Sequence, residues 1–165
     1  MFELKSLSPA AIPAALAKAE RYRLINEPEQ SQSICEDILA ADPANHDARV
    51  MLILALSDQF AHRHPLAAAR ALDLVAGLAS DYERAYYTGL VAERRARALL
   101  DVPGPGARAA VEWLQDAMEA YERADGLKPA GNDEARLRWN SCARVLNSRP
   151  DLLQVEDAAA PVMNE

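Results

Sequence analysis

Residues 117–144 read AMEAYERADGLKPAGNDEARLRWNSCAR, and this stretch carries the clearest helix-packing pattern of the chain. Ala117, Tyr121 and Ala124 follow one another at intervals of four and three residues, which places them on one face of an α-helix. Their small–aromatic–small order lets the helix lie close against a neighbouring helix. Pro129 cannot continue the helix and ends it. The stretch therefore predicts one tightly packed helix, with a second helix after Pro129.

The composition favours an all-helical chain of one domain. Its 165 residues are enough to bury a core, and half of them are hydrophobic while only 5% are aromatic. Much of the apolar content is alanine, the strongest helix former. The net charge of −7 argues against general binding of nucleic acid, which requires basic charge. It favours solubility and partners that are neutral or locally basic.

The cysteines, the N-terminus and the apolar runs indicate the cellular compartment of the protein. Cys35 and Cys142 lie far apart without the paired spacing of metal ligands, so we expect both to be reduced core residues. The N-terminus, MFELKSLSPA, lacks the basic start and apolar run of a signal peptide. The longest apolar run, residues 50–56, is too short to cross a bilayer. We therefore expect a cytoplasmic protein without a membrane partner, and fifteen arginines against three lysines suggest a GC-rich bacterial genome.

Start and stop signals predict seven helices. They begin near Ser8–Pro9 or Ile12–Pro13, Pro28, Asn45 or Asp47, His64–Pro65, Ser80, Ala107 and Asn132. Gly89, inside the fifth helix, costs about 1 kcal/mol relative to alanine, so we expect it to permit close packing against a partner helix. Residues 102–106, VPGPG, predict a solvent loop. We expect residues 1–9 to be a flexible arm, 10–148 a helical domain and 149–165 a disordered acidic tail.

Helix starts near residues 12, 46 and 80 repeat with a period of 34. In the first unit, the repeat positions where an aromatic residue, a large apolar residue, a small residue and a proline are usual hold Tyr22, Cys35, Ile38 and Pro43. The match is partial, because Ile38 is larger than the small residue usual at its position. Ser31 stands where alanine is usual. The chain thus resembles the tetratricopeptide repeat (TPR) family, with three repeats and a C-terminal capping helix. The resemblance implies antiparallel helix pairs stacked as a right-handed superhelix, and an irregular helical bundle is the alternative.

In the TPR family, the first helix of each pair lines a concave face that holds an extended peptide or a helix. On this register the resemblance implies a partner-binding groove with Arg23, Tyr86, Glu93, Arg94, Arg136, Asn140 and Arg144. Arginine suits a peptide carboxylate, because guanidinium binds carboxylates bidentately. Family members that clamp a C-terminal carboxylate use Lys, Asn and Arg, although the first repeat here lacks the full basic set. The alternative is a solvated helix face in which residues 93–97 pair within the helix.

The aromatic residues allow two interpretations. Trp113 and Trp139 could anchor an interface, but each lies on a helix with an apolar stripe, which favours the core. Tyr86 and Tyr87 are adjacent and point about 100° apart on a helix. We therefore expect one of these two rings to be exposed, and Tyr86 to face the groove.

Catalytic and metal-binding patterns are weak. His46, His62 and His64 could meet as metal ligands, but no carboxylate or cysteine at ligand spacing accompanies them. Cys142 is the only candidate nucleophile, and no histidine lies near it in sequence. We therefore expect no cofactor and no enzymatic activity.

The leading functional hypothesis is a non-enzymatic module that binds a peptide or helix of a partner protein in the concave groove. A chaperone for an aggregation-prone or secreted client is the second, because the chain looks like the three-repeat secretion chaperones in length and acidity. A self-associating subunit is the third, with the apolar third helix or Trp139 at a dimer interface, so we expect a monomer or a weak homodimer. Glu156, Asp157 and Glu165 of the tail could fold back onto the groove arginines as a weak competitor.

Overall fold

The computed structural model describes residues 2–61, 66–100 and 106–150, and over these ranges the chain is all-α with seven helices, which confirms the predicted fold class. The helices are α1 (Ile12–Leu24), α2 (Pro28–Ala41), α3 (His46–Ser57), α4 (Leu66–Ala76), α5 (Asp81–Leu100), α6 (Ala107–Leu127) and α7 (Glu134–Ser148). A 3₁₀ turn, Pro9–Ala11, precedes α1. The chain divides into two compact units, Met1–Leu78 and Ala79–Glu165.

Local signals set the ends of these helices. The Asn45 side chain accepts a hydrogen bond from the Ala48 amide at 3.0 Å and caps α3. The Ser80 hydroxyl accepts one from the Glu83 amide at 3.4 Å at the start of α5. Pro28 lies in the first turn of α2, where no backbone donor is needed. The predicted helix start at 64–65, the loop at 102–105 and the tail at 151–165 lie outside the described residues.

In the N-terminal unit, α1 contacts α2, α2 contacts α3, and α3 contacts α4. Turns of three and four residues follow α1 and α2. α3 packs against both α2 and α4, and its Leu52, Ile53 and Leu56 are buried, so this helix lies between two neighbours. These apolar side chains, named above as a possible dimer interface, are thus covered within the unit. Ser31, at the repeat alanine position, and Cys35 are both fully buried.

In the C-terminal unit, α5 and α6 form a closely packed pair, and α7 lies against α6. Ala117, Tyr121 and Ala124 are fully buried, as their small–aromatic–small order predicts. A Cβ atom added at Gly89 of α5 would lie 2.8 Å from the Tyr121 ring. Only glycine allows the two helices to approach this closely, so the predicted role of Gly89 is confirmed.

Small and medium side chains fill the contact between α7 and the rest of this unit. Its buried residues are Ala135, Cys142 and Leu146, so the predicted core position of Cys142 is confirmed. Trp139 lies beside this face and is half-buried, and its indole N–H donates to Glu122 Oε1 at 3.2 Å. Trp113 of α6 is half-buried too. Core placement is therefore wrong for both tryptophans, and at Trp139 smaller residues of α7 already fill the helix–helix contact.

Candidate functional site

Two open clefts run along the flanks of α7. The α5 cleft has a volume of about 380 Å³ and is lined by Tyr86, Glu134, Leu137, Arg138 and Ser141. The α6 cleft has a volume of about 320 Å³ and is lined by Tyr121, Glu122, Asp125, Arg136, Trp139 and Asn140. Because successive residues of a helix are rotated by about 100°, α7 presents a different set of side chains to each cleft.

A buried carboxylate connects the three helices beside the α5 cleft. Glu93 of α5 is 1% exposed, and its Oε1 accepts two hydrogen bonds from Arg97, at 2.9 and 3.0 Å. Its Oε2 accepts one from the Tyr121 hydroxyl of α6 at 2.8 Å. Arg138 of α7 places its Nη1 3.5 Å from the same Oε2. Two guanidinium groups therefore compensate a carboxylate that ties α5 to both α6 and α7.

Tyrosine rings cluster around Tyr86. Its ring centroid lies 5.9 Å from those of Tyr82 and Tyr121 and 5.2 Å from that of Tyr87. Tyr86 is only 9% exposed and Tyr87 is half-buried, so the prediction that Tyr86 is the exposed ring of the pair is wrong. The neighbouring rings cover it. Burial raises the pKa of Tyr87 to about 12, and it also raises the pKa of Tyr86, so both hydroxyls stay protonated at neutral pH.

The rim of the α5 cleft mixes apolar and polar groups. Leu137 is 66% exposed, and the Arg138 side chain is 38% exposed. Glu134 is exposed at the start of α7, and Ser141 is half-buried one helical turn beyond Leu137. An exposed leucine beside a guanidinium and a hydroxyl offers an apolar contact together with hydrogen-bond donors. These are the groups that a peptide with apolar and acidic side chains requires.

Ion pairs connect α6 to α7 beside the α6 cleft. Arg136 Nη2 lies 3.0 Å from Asp125 Oδ2, and Lys128 Nζ lies 2.8 Å from Asp125 Oδ1. Asp133 pairs with both Lys128 and Arg136. Hydrogen bonds from Lys128 and then Arg136 lower the pKa of Asp125, and a hydrogen bond from Lys128 lowers the pKa of Asp133. The cluster fastens the end of α6 to the start of α7. Because Arg136 pairs with two carboxylates in it, the charge of Arg136 is already compensated.

The predicted site residues of α7 do not share one cleft with Tyr86. Arg136 and Asn140 line the α6 cleft together. Tyr86 lines the α5 cleft, on the other flank of the helix. Arg144 is exposed on α7. The structure therefore brings Arg136 and Asn140 together and separates them from Tyr86.

The remaining predicted site residues lie elsewhere. In the N-terminal unit, Arg23 of α1 places its Nε 2.6 Å from Asp58 Oδ2. Arg94 of α5 is half-buried. The sequence predicts Glu93 either to line the groove or to lie on a solvated helix face. Both predictions are wrong, because side chains of α6 and α7 cover Glu93. The groove that combines residues of both units stays a prediction.

Sequence reasoning missed the α7 residues of the α5 cleft. Glu134, Leu137, Arg138 and Ser141 follow the spacing i, i+3, i+4 and i+7, which defines one helix face. This spacing is the signal that could have grouped them. Its significance depends on how α7 is rotated about its axis, and the packing of α7 in the unit sets that rotation.

Metal and nucleophile chemistry finds little support in the described part of the chain. No group of three His, Cys, Asp or Glu residues there could hold a metal ion. His46 is exposed beside Asp47, while His62 and His64 lie outside the described residues. Burial raises the pKa of the Cys142 thiol to about 12 and that of Cys35 to about 11. Both thiols are therefore protonated and poorly nucleophilic at neutral pH.

Comparison of the chain with protein-family models, curated proteins and solved structures gives no match. The resemblance to the TPR family therefore depends on residue spacing alone. Among the described helices, none combines the length and the apolar character needed to cross a bilayer.

Proposed function

We propose that this chain is a non-enzymatic protein-interaction module with TPR-like helix pairs, and that it binds a peptide or helix of a partner protein along α7. The observation that carries this proposal is Leu137, a large apolar side chain left 66% exposed on the rim of the α5 cleft. A binding interface needs a central aromatic or aliphatic anchor with a polar rim around it. Arg138 and Ser141 supply those polar groups on the same helix face.

The chemistry of the cleft defines the partner segment. An apolar side chain of the partner would cover Leu137, while an acidic side chain would pair with Arg138. Arg138 already faces Glu93, but a guanidinium has five donors and can hold a second acceptor. Asn140 and Arg136, on the other flank of α7, extend the surface. This proposal includes neither a cofactor nor nucleic acid, and it places the protein in the cytoplasm.

Leu137→Ser should weaken partner capture about tenfold, equivalent to about 1.4 kcal/mol, because it removes the apolar anchor without disturbing the core. The measurement is quantitative affinity capture from the native host with mass spectrometry, followed by titration of the partner identified. Leu127→Ser is the matched control, since Leu127 is 52% exposed at the end of α6 and lines neither cleft.

Thermal melting followed by circular dichroism should be the same for both variants, since both leucines are exposed. Equal capture by Leu137→Ser, Leu127→Ser and the unchanged protein would contradict binding along α7.

A further inference from the structure

We propose that the acidic segment 151–165 of this chain docks on α7 along the rim of the α5 cleft and there competes with the partner segment. This inference rests on the proposed function. The docking face, called the α7 strip below, consists of Leu137, Arg138, Ser141 and Arg144. These residues follow the spacing i, i+1, i+4 and i+7, so they lie along one side of the helix.

Opposite charge favours this occupant over another segment of the chain. Helix α7 carries three arginines, Arg136, Arg138 and Arg144, against one acidic residue, Glu134. Residues 151–165, DLLQVEDAAAPVMNE, contain four acidic residues and neither lysine nor arginine. Asp125 and Asp133 compensate Arg136. Glu93 faces Arg138, whereas Arg144 is exposed to solvent. A segment with only negative charge is therefore attracted to the strip that carries Arg138 and Arg144.

The segment also carries apolar side chains that match the strip. Leu152, Leu153 and Val155 precede Glu156 and Asp157. Covering Leu137 with one of these side chains removes apolar surface from water on both partners. The same five residues thus offer an apolar contact for Leu137 and carboxylates for the arginines.

Chain length and attachment point allow the contact. The segment starts three residues after Ser148, the last residue of α7. Leu137 lies 11 residues before Ser148, which is about 16 Å along the helix at 1.5 Å per residue. An extended chain spans about 3.3 Å per residue, so a return over that distance uses only about five residues. Covalent attachment keeps the segment at a high effective concentration near the strip, so a weak contact is enough.

The test uses the full chain with a nitroxide spin label on Ala158→Cys. Both native cysteines, Cys35 and Cys142, are fully buried, so the added thiol is the one that reacts. At low salt, docking should broaden the amide NMR signals of Leu137, Arg138 and Ser141. Broadening should be lost at 1 M salt, where the Debye length is about 3 Å.

Two charge changes and one control give the comparison. Arg144→Glu, and separately the tail change Glu156→Gln with Asp157→Asn, should each abolish the broadening. Arg108→Glu is the control, because Arg108 is an exposed arginine of α6 outside the strip, and it should leave the broadening intact. Broadening that fades steadily from Ser148 and is unchanged by salt and by both charge changes would overturn the docking.

Partner binding separates this inference from the proposed function. If docking competes with the partner, the Glu156→Gln and Asp157→Asn change should tighten partner binding. Partner capture that depends on Leu137 but is unaffected by the tail change would overturn the competition and leave the proposed function standing. Charge-dependent broadening without any Leu137-dependent capture would support the docking and overturn the proposed function.

Discussion

Glu93 shows how one residue can change meaning between sequence and structure. In the sequence, Glu93 and Arg97 are four residues apart and form the common pair of a solvated helix face. In the structure, Glu93 also contacts the Tyr121 hydroxyl and Arg138, and it is only 1% exposed. A buried carboxylate without partners would be very unfavourable, so the partners and the burial depend on each other. The residue is structural, and it positions Arg138 beside the α5 cleft.

Glu93→Gln should lower the free energy of unfolding by about 3 kcal/mol, the lower end of the range for breaking a buried ion pair. The lower end applies because the Arg97 and Arg138 side chains are 42% and 38% exposed and can regain hydration. Urea unfolding followed by circular dichroism measures this difference. Glu119→Gln on the exposed face of α6 is the control and should change stability little. Equal stability of the two variants would show that Glu93 does not tie the helices together.

At the scale of elements, the contact between α5 and α6 depends on one missing side chain. A Cβ at Gly89 would lie 2.8 Å from two atoms of the Tyr121 ring and 3.1 Å from the carbonyl oxygen of Ala117. The ring cannot move aside easily, because Tyr121 is fully buried and its hydroxyl is bonded to Glu93. The approach of these two helices in turn sets where α7 lies.

Gly89→Ala should destabilise the protein by about 1–3 kcal/mol, because overpacking outweighs the gain in helix propensity. Gly126→Ala is the matched control, since Gly126 also lies in a helix but a Cβ there meets no atom within 4 Å. That control should stabilise the protein by up to about 1 kcal/mol. Thermal melting of both variants decides the matter, and stabilisation by Gly89→Ala would refute the close contact.

At the scale of the whole molecule, net charge governs association. The charge is −7 at neutral pH and the calculated isoelectric point is about 5.0. Like charge keeps copies apart at neutral pH, whereas near pH 5 that repulsion vanishes. Exposed apolar side chains such as Leu24, Ile25 and Leu137 can then meet between copies.

Light scattering at micromolar concentration should therefore give the mass of a monomer at pH 8 and a rising average mass as the pH approaches 5. A sample taken to pH 5 and then returned to pH 8 should regain the monomer mass, which distinguishes reversible association from unfolding. A dimer of constant mass across this range would instead indicate a specific interface and support the self-associating subunit.

Local sequence signals predict the seven helices of the described residues, most of their ends and the buried contact around Ala117, Tyr121 and Ala124. These features depend on residues close together in the chain. Proline and capping groups act locally, and helical spacing defines a face whichever helix packs against it. Packing in the folded unit sets which flank of α7 meets α5, and with it the burial of Glu93 and the half-burial of Trp139. A helix sequence fixes the angles between its side chains but not its rotation against other helices. That rotation follows from packing with α5 and α6, and it leaves Leu137 on the rim of a cleft.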